Sequence, residues 1–237
     1  MARDWEVPPV ELRGVGGRMD LPAYFDEAGL TPTRVRELCR GHGVEIVALD
    51  ASLRLIGGDD QQRQEFLDFA RLADTLGVRN VRAFDGEGAV AAAVEAAAWW
   101  DEARAAEGIG ARMIVETHDA LADVAACERF MRDAPPSVGL LWDSHHTFRK
   151  TGEPMTQTWP RLRPWVEHVH VKDSVLKDGR SHNVLPGDGE LDNDTLLAAL
   201  TTDGFDGVVS LEWERHWQPH LPPLPEALAR CRQLGWW

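Results

Sequence analysis

The alternation of strand-like and helix-like segments in this sequence of 237 residues predicts an α/β fold, organised as a (β/α) TIM-type barrel. Short apolar runs alternate with longer segments that carry apolar residues at helical spacing, which is typical of parallel strands joined by helices. Four of the apolar runs end in Glu, Asp or His, as expected where the carboxyl ends of barrel strands form one site. The length suits one domain, residues 1–237.

Three strands and three helices are expected in the first half of the chain. The strands are predicted at 7–13, 44–50 and 78–84, and the helices at 33–42, 59–76 and 89–106. Thr31 and Pro32 are typical of a helix start, whereas Gly43 and Gly77 are typical of helix ends.

The second half of the chain continues the same alternation. Strands are predicted at 113–118, 138–143, 166–173 and 208–214, and helices at 121–133, within 155–165, at 193–202 and at 224–234. Residues 174–190 are polar and are predicted to form a long loop. Because a closed barrel of this class has eight strands and seven are counted, we expect the first βα unit to be missing.

A seven-stranded barrel has two edge strands, at 7–13 and 208–214, whose unpaired backbone groups lie beside Glu212. We expect an open or distorted barrel that is stabilised by self-association, with apolar surface offered by Trp236 and Trp237. There are two alternatives: the two edge strands pair directly with each other, or the gap between them stays open as part of a wider cleft.

Charge and composition exclude several classes of function. The formal net charge is -14, with 25 Lys and Arg against 39 Asp and Glu, which disfavours a nucleic-acid partner. We expect no membrane span, because no run approaches the roughly 20 apolar residues that a span needs. The three cysteines, Cys39, Cys127 and Cys231, are far apart and odd in number, so reduced thiols in a cytoplasmic protein are expected.

The residues at the four strand ends are candidates for a divalent metal site. Glu116, Asp143, His170 and Glu212 provide three carboxylates and one imidazole. These ligands favour manganese or magnesium, and cobalt or zinc can substitute. The alternative is that each is a buried charge held by a salt bridge within the barrel.

Two of these residues are also candidates for catalysis. A carboxylate pair at one metal can remove a proton from a carbon beside a carbonyl and return a proton to it, while the metal stabilises the enediolate oxygens. We therefore predict that Glu116 and Glu212 exchange the substrate proton.

Five further residues are predicted to contact substrate. They follow the same strand ends or lie on the neighbouring polar segments: His118, His146, Lys172, Arg180 and Trp217. Surface or loop roles remain the alternative for His118, His146 and Arg180, and Lys172 has the alternative of pairing with Asp173.

The segments VETHD, LLWDSHHT, HVHVKD, LPGDGELD and SLEWE, in this order and spacing, resemble the sugar phosphate isomerase/epimerase family of xylose-isomerase-like barrels. The resemblance implies that Glu116, Asp143, His170 and Glu212 hold a divalent ion, commonly manganese. It also implies that His146, three residues after the aspartate, contacts substrate.

Together these features predict a metal-dependent isomerase or epimerase in carbohydrate metabolism, acting on a small ketose, sugar phosphate or polyol-derived ketone. The proton would be transferred through a metal-bound enediolate. A lyase or dehydratase that uses the same metal is the alternative, as is a non-catalytic metal-binding subunit if the barrel is incomplete. A DNA-repair endonuclease is disfavoured, because the strands at 44–50 and 78–84 provide no histidine ligands.

Overall fold

The computed structural model describes residues 5–7 and 9–236. In chain order, the strands of this part of the chain are β1 (Pro9–Leu12), β2 (Glu45–Arg54), β3 (Asn80–Phe84), β4 (Arg112–Glu116), β5 (Val138–Asp143), β6 (Val166–Val171), β7 (Asp173–Lys177), β8 (Arg180–Val184) and β9 (Val208–Leu211). Strands β1 to β6 and β9 form one parallel sheet in that order, so each strand pairs with the next one of the set along the chain. The sheet is a nearly closed barrel, which confirms the predicted seven-stranded (β/α) barrel.

Helices connect the strands and cover the outside of the sheet. They are α1 (Leu21–Glu27), α2 (Pro32–His42), α3 (Asp60–Leu76), α4 (Val90–Glu107), α5 (Val124–Asp133), α6 (Ser144–Thr151), α7 (Met155–Leu162), α8 (Asn193–Thr202) and α9 (Leu224–Leu234). A short 3-10 helix, Ala120–Ala122, precedes α5. No helix among the described residues is both long and apolar enough to cross a membrane.

The ends of the helices follow the local sequence signals. The Thr31 hydroxyl accepts a hydrogen bond from the Arg34 N–H at the start of α2, and Asp59 caps α3 in the same way. Gly43 and Gly77 end these helices with φ of 63° and 76°, a left-handed conformation that glycine adopts without steric cost. The predicted boundaries of both helices are therefore confirmed to within a residue.

The apolar core lies between the sheet and the helices. Phe66 on α3 and Trp100 on α4 are fully buried, and their rings meet edge to face with centroids 5.1 Å apart. Trp142 on β5 is also fully buried and stacks on Trp159 of α7 at 5.9 Å. Large rings thus fill the layer between the strands and the helices.

The prediction of a loop throughout 174–190 is wrong. Strands β7 and β8 form an antiparallel hairpin here, inserted between β6 and α8. Its two-residue turn is Asp178-Gly179, and both residues have positive φ, 51° and 72°. Such a turn matches the natural twist of a hairpin, so the Asp-Gly pair was the available signal.

The two edges of the parallel sheet remain unpaired with each other over the described residues, because β1 pairs with β2 and β9 pairs with β6. The predicted self-association stays a prediction. Trp237 lies outside the described residues, and the Trp236 indole N–H donates to Asp194 Oδ1 of the same chain at 2.7 Å.

Candidate metal and substrate site

The carboxyl ends of the barrel strands surround a cavity of ≈ 730 Å³ that opens along the gap between β1 and β9. Its lining includes Glu116, His170 and Glu212, together with the aromatic side chains of His118 and Trp217. The parallel arrangement explains this meeting, because every strand of such a barrel ends at the same face.

The four predicted metal ligands come together at this face. Each of Glu116, Asp143, His170 and Glu212 offers one ligand atom, and the four atoms lie within 4.8 Å of one another. The strand register aligns them, since Asp143 pairs directly with His170 across β5 and β6. The Glu212 N–H donates to the Val171 carbonyl at 3.1 Å, which continues the β6–β9 ladder to the site.

Asp143 belongs to two secondary-structure elements at once. It ends β5 and also caps α6, where its Oδ1 accepts a hydrogen bond of 3.0 Å from the His146 N–H. This helix was not predicted, although aspartate is a preferred N-cap residue. One carboxylate oxygen thereby fixes the helix, and Oδ2 is left to face the other ligands.

Three buried atoms of the cluster make no hydrogen bond: Glu116 Oε2, Asp143 Oδ2 and His170 Nδ1. Their residues are at most 1% exposed. Arg82 and Lys172 approach the two carboxylate oxygens as ion pairs, whereas His170 Nδ1 has no such partner, and an unpartnered polar atom at such depth is costly. Two carboxylate oxygens and an imidazole nitrogen are suitable donors for a divalent cation, so the residues fit a metal ion.

Two buried cations offset the negative charge of the cluster. Arg82 on β3 lies with its Nε 3.3 Å from Glu116 Oε2 and a terminal nitrogen 3.5 Å from Asp50 Oδ2. Lys172, which follows β6, has its Nζ 2.9 Å from Asp143 Oδ2 and 2.9 Å from Glu214 Oε1.

Lys172 also pairs with Glu212, so its ammonium group lies among the same carboxylates as a bound ion would. The predicted alternative of a Lys172–Asp173 pair is wrong. Asp173 instead accepts hydrogen bonds from the backbone N–H groups of residues 187, 189 and 191, which anchors the segment between β8 and α8.

The two candidate catalytic glutamates have opposite electrostatic environments. Burial raises the pKa of Glu116 to about 7; the neighbouring carboxylates Glu212 and Asp143 add to this effect, while Arg82 opposes it. Burial also disfavours ionisation of Glu212, but Lys172 and His170 outweigh it and hold the pKa of that carboxyl well below its usual range.

Three of the five predicted substrate-contacting residues line the cavity: His118, His146 and Trp217. The rings of His118 and His146 are 4.5 Å apart, and His146 Nε2 lies 3.2 Å from Lys172 Nζ. Trp217 is 57% exposed at the rim of the cavity. Lys172, the fourth, borders the ligand cluster. Their roles remain predictions.

Arg180 is not brought to this site. It lies at the start of β8 next to the hairpin turn, where it is exposed, and it is absent from the cavity lining. The sequence-based prediction placed it on a loop beside the strand ends, whereas the structure places it in a hairpin strand next to the turn.

Several polar residues of the site were not predicted from the sequence. Glu11 on β1, Arg13, Asp50, Arg82 and Glu214 all line the cavity. The signal for Arg82 was a cation in the middle of the predicted strand 78–84, of which Asn80–Phe84 forms β3. A cation in a buried strand is tolerated only beside a carboxylate.

Solved structures with this fold include enzymes of different chemistry. The probable 3-DHS dehydratase AsbF of Bacillus anthracis is 18% identical, with 99% of this chain and 90% of that chain covered at a TM-score of 0.77. A D-tagatose 3-epimerase-like protein is 18% identical, covering 95% and 90%, at 0.68. Endonuclease IV of Thermus thermophilus is 19% identical, covering 99% and 91%, also at 0.68.

At these identities the likeness is one of fold. A search among curated proteins gives no match. The family model of the xylose isomerase-like TIM barrel matches residues 4–234, nearly the whole chain. The chain therefore belongs to the xylose isomerase-like TIM barrel family.

Proposed function

We propose that this protein is a divalent-metal-dependent isomerase or epimerase of a small carbohydrate-like substrate. The observation that carries the proposal is the set of four ligand atoms that lie within 4.8 Å of one another, three of them from residues that line the cavity. A divalent ion held by Glu116, Asp143, His170 and Glu212 would polarise a carbonyl and stabilise negative charge on adjacent oxygens. Manganese suits this ligand set best, and magnesium, cobalt or zinc can replace it.

The two glutamates are suited to opposite halves of a proton transfer. Glu116 ends β4 and Glu212 follows β9, the first and last of the four strands that contribute ligands, so Asp143 and His170 lie between them. His170 Nδ1 is 4.0 Å from Glu116 Oε1 and 3.6 Å from Glu212 Oε2. One carboxylate removes the proton from carbon, and the other returns a proton. In an isomerisation the proton goes to the neighbouring carbon, and in an epimerisation it goes to the opposite face of the same carbon.

Lys172 and His146 provide hydrogen-bonding groups for the substrate oxygens. Lys172 is 2% exposed and is held by Asp143 and Glu214, so its position is fixed before a substrate arrives. A fixed cation beside a developing enediolate stabilises it without reorganisation. Trp217 at the rim is suited to pack against the face of a sugar.

A small molecule is the expected substrate class. The net charge of -14 opposes binding to a phosphate backbone, and the carboxylate-rich cavity adds to that repulsion. Nucleic-acid cleavage, the activity named for the endonuclease IV relative, is therefore not proposed.

Solvent exchange tests the proton transfer directly. The purified protein with added Mn²⁺ is incubated in D₂O with a panel of ketoses and ketose phosphates, and deuterium at carbon is measured by NMR. We expect exchange with at least one compound. The variants Glu116→Gln and Glu212→Gln should each lose it, whereas Glu95→Gln, exposed on α4, should retain it. Turnover of a substrate without deuterium at carbon would contradict the mechanism.

A dehydratase is the second candidate, favoured by the contact between Lys172 and His146. Two nitrogen groups 3.2 Å apart at the site can pass a proton to a leaving hydroxyl after the same proton abstraction. Loss of water from the product, measured by mass spectrometry, distinguishes this reaction from an isomerisation.

A further inference from the structure

Glu11 connects the edge strand β1 to the candidate metal site from across the barrel. Its Oε2 lies 2.8 Å from His170 Nε2 on β6, although β1 and β6 are not neighbours in the sheet. The contact joins residues 159 positions apart in the chain. The side chain of Glu11 is 10% exposed, so little water competes for it.

The contact determines which nitrogen of His170 faces the other ligands. Because a carboxylate accepts hydrogen bonds, Nε2 carries the proton of this bond. Nδ1 lies on the opposite side of the ring, 3.6 Å from Glu212 Oε2 and 4.0 Å from Glu116 Oε1, and it makes no hydrogen bond. The ring is therefore oriented with Nδ1 toward the ligand cluster.

A second histidine supports this arrangement. His168 Nε2 is 2.7 Å from Ser210 Oγ on β9 and 3.4 Å from the same Glu11 oxygen. Its ring packs perpendicular to that of His170, with centroids 5.3 Å apart. Glu11 is thus placed between two buried rings, and the rotation of either ring would break its contact.

We propose that Glu11 is a positioning residue for the metal: it holds His170 through Nε2, so that Nδ1 is presented to a divalent ion. This inference rests on the proposed function for the identity of the metal site. Partners that hold the second nitrogen of a ligating histidine typically change metal affinity by about 10–100-fold when removed.

The test compares Glu11→Leu, which removes the acceptor at similar size, with Glu11→Gln, whose amide oxygen can still accept the bond. Glu65→Leu is the control, since Glu65 is a partly buried glutamate on α3 outside the cavity lining. Mn²⁺ affinity is measured by calorimetry and by the EPR signal of free Mn²⁺, and the melting temperature of each metal-free variant is recorded. We expect Glu11→Leu to lower affinity about 10–100-fold, Glu11→Gln to lower it less, and the control to bind as wild type does.

A measurement without metal keeps this inference separate from the proposed function. In the metal-free protein, the ring proton on His170 Nε2 should exchange slowly and be visible by ¹H–¹⁵N NMR, and it should disappear in Glu11→Leu. If wild type binds no Mn²⁺, the proposed function fails. Whether or not the metal binds, persistence of the slowly exchanging His170 Nε2 proton in Glu11→Leu would overturn the contact between Glu11 and His170. If wild type binds Mn²⁺ and Glu11→Leu binds it equally tightly, the inference alone is overturned. Should Glu11→Leu not fold, Glu11→Gln serves as the test variant, with Mn²⁺ affinity and the exchange rate of the His170 Nε2 proton as its two measurements. The inference is overturned if Glu11→Gln binds Mn²⁺ as tightly as wild type although this proton exchanges fast.

Discussion

Replacing Lys172 with methionine removes a buried ammonium group but keeps most of the volume of its side chain. In the wild type, Lys172 Nζ lies 2.9 Å from both Asp143 and Glu214 and also pairs with Glu212. The variant leaves Asp143, which is fully buried, facing other carboxylates without this cation. We therefore expect the metal-free variant to be less stable.

The magnitude follows from the burial of the partners. Removing one member of a buried ion pair typically costs about 3–5 kcal/mol. Glu212 and Glu214 are partly exposed, so solvent screens part of the repulsion and the lower end, about 3 kcal/mol, is expected. For a chain of this size, that loss lowers the melting temperature by about 6–12 °C.

A divalent ion should reverse this loss. In the wild type, an ion competes with the Lys172 ammonium group for Asp143 and Glu212, whereas in the variant it meets uncompensated carboxylates. Saturating Mn²⁺ should therefore raise the melting temperature more in Lys172→Met than in wild type.

Differential scanning fluorimetry with and without Mn²⁺ measures both effects. Lys177→Met, at an exposed position on β7, is the matched control and should behave as wild type does. An unchanged melting temperature of metal-free Lys172→Met would refute the assigned electrostatic role. A Mn²⁺ shift no larger than that of wild type would refute the competition between ammonium and ion.

Three further outcomes are expected. Asp173→Asn should lower stability by about 3 kcal/mol and increase hydrogen exchange in residues 187–191, because charge-assisted bonds to backbone N–H groups are lost; unaltered exchange there would contradict the anchoring role. Burial raises the pKa of Cys127 and raises the pKa of Cys231 to about 12, so at pH 8 iodoacetamide should label Cys39 far faster than either in peptide mass spectrometry; comparable rates would contradict it. Arg180→Ala should leave stability and the kcat/KM of an identified substrate within twofold of wild type, and a larger loss would place the hairpin tip at the site.

The sequence alone was sufficient to predict the seven strands and the meeting of their carboxyl ends. The strands were visible as apolar runs, and those at 44–50 and 78–84 directly follow the helix ends at Gly43 and Gly77, which act through local backbone conformation. Parallel strands joined by helices end at one face, so Glu116, Asp143, His170 and Glu212 could be grouped without knowing any distance between them. These are consequences of local pattern combined with one rule of topology.

The tertiary structure decided which charges surround that group. Glu11 reaches His170 across the barrel, and Arg82 lies beside Glu116, through contacts that depend on how the sheet curls. The hairpin likewise places Arg180 next to its turn and outside the cavity lining, which chain proximity to Lys172 had not indicated. Contacts between residues far apart in the chain leave no periodic signal in a single sequence. Their side chains are identified as partners only when the curvature of the barrel sets the distance between them.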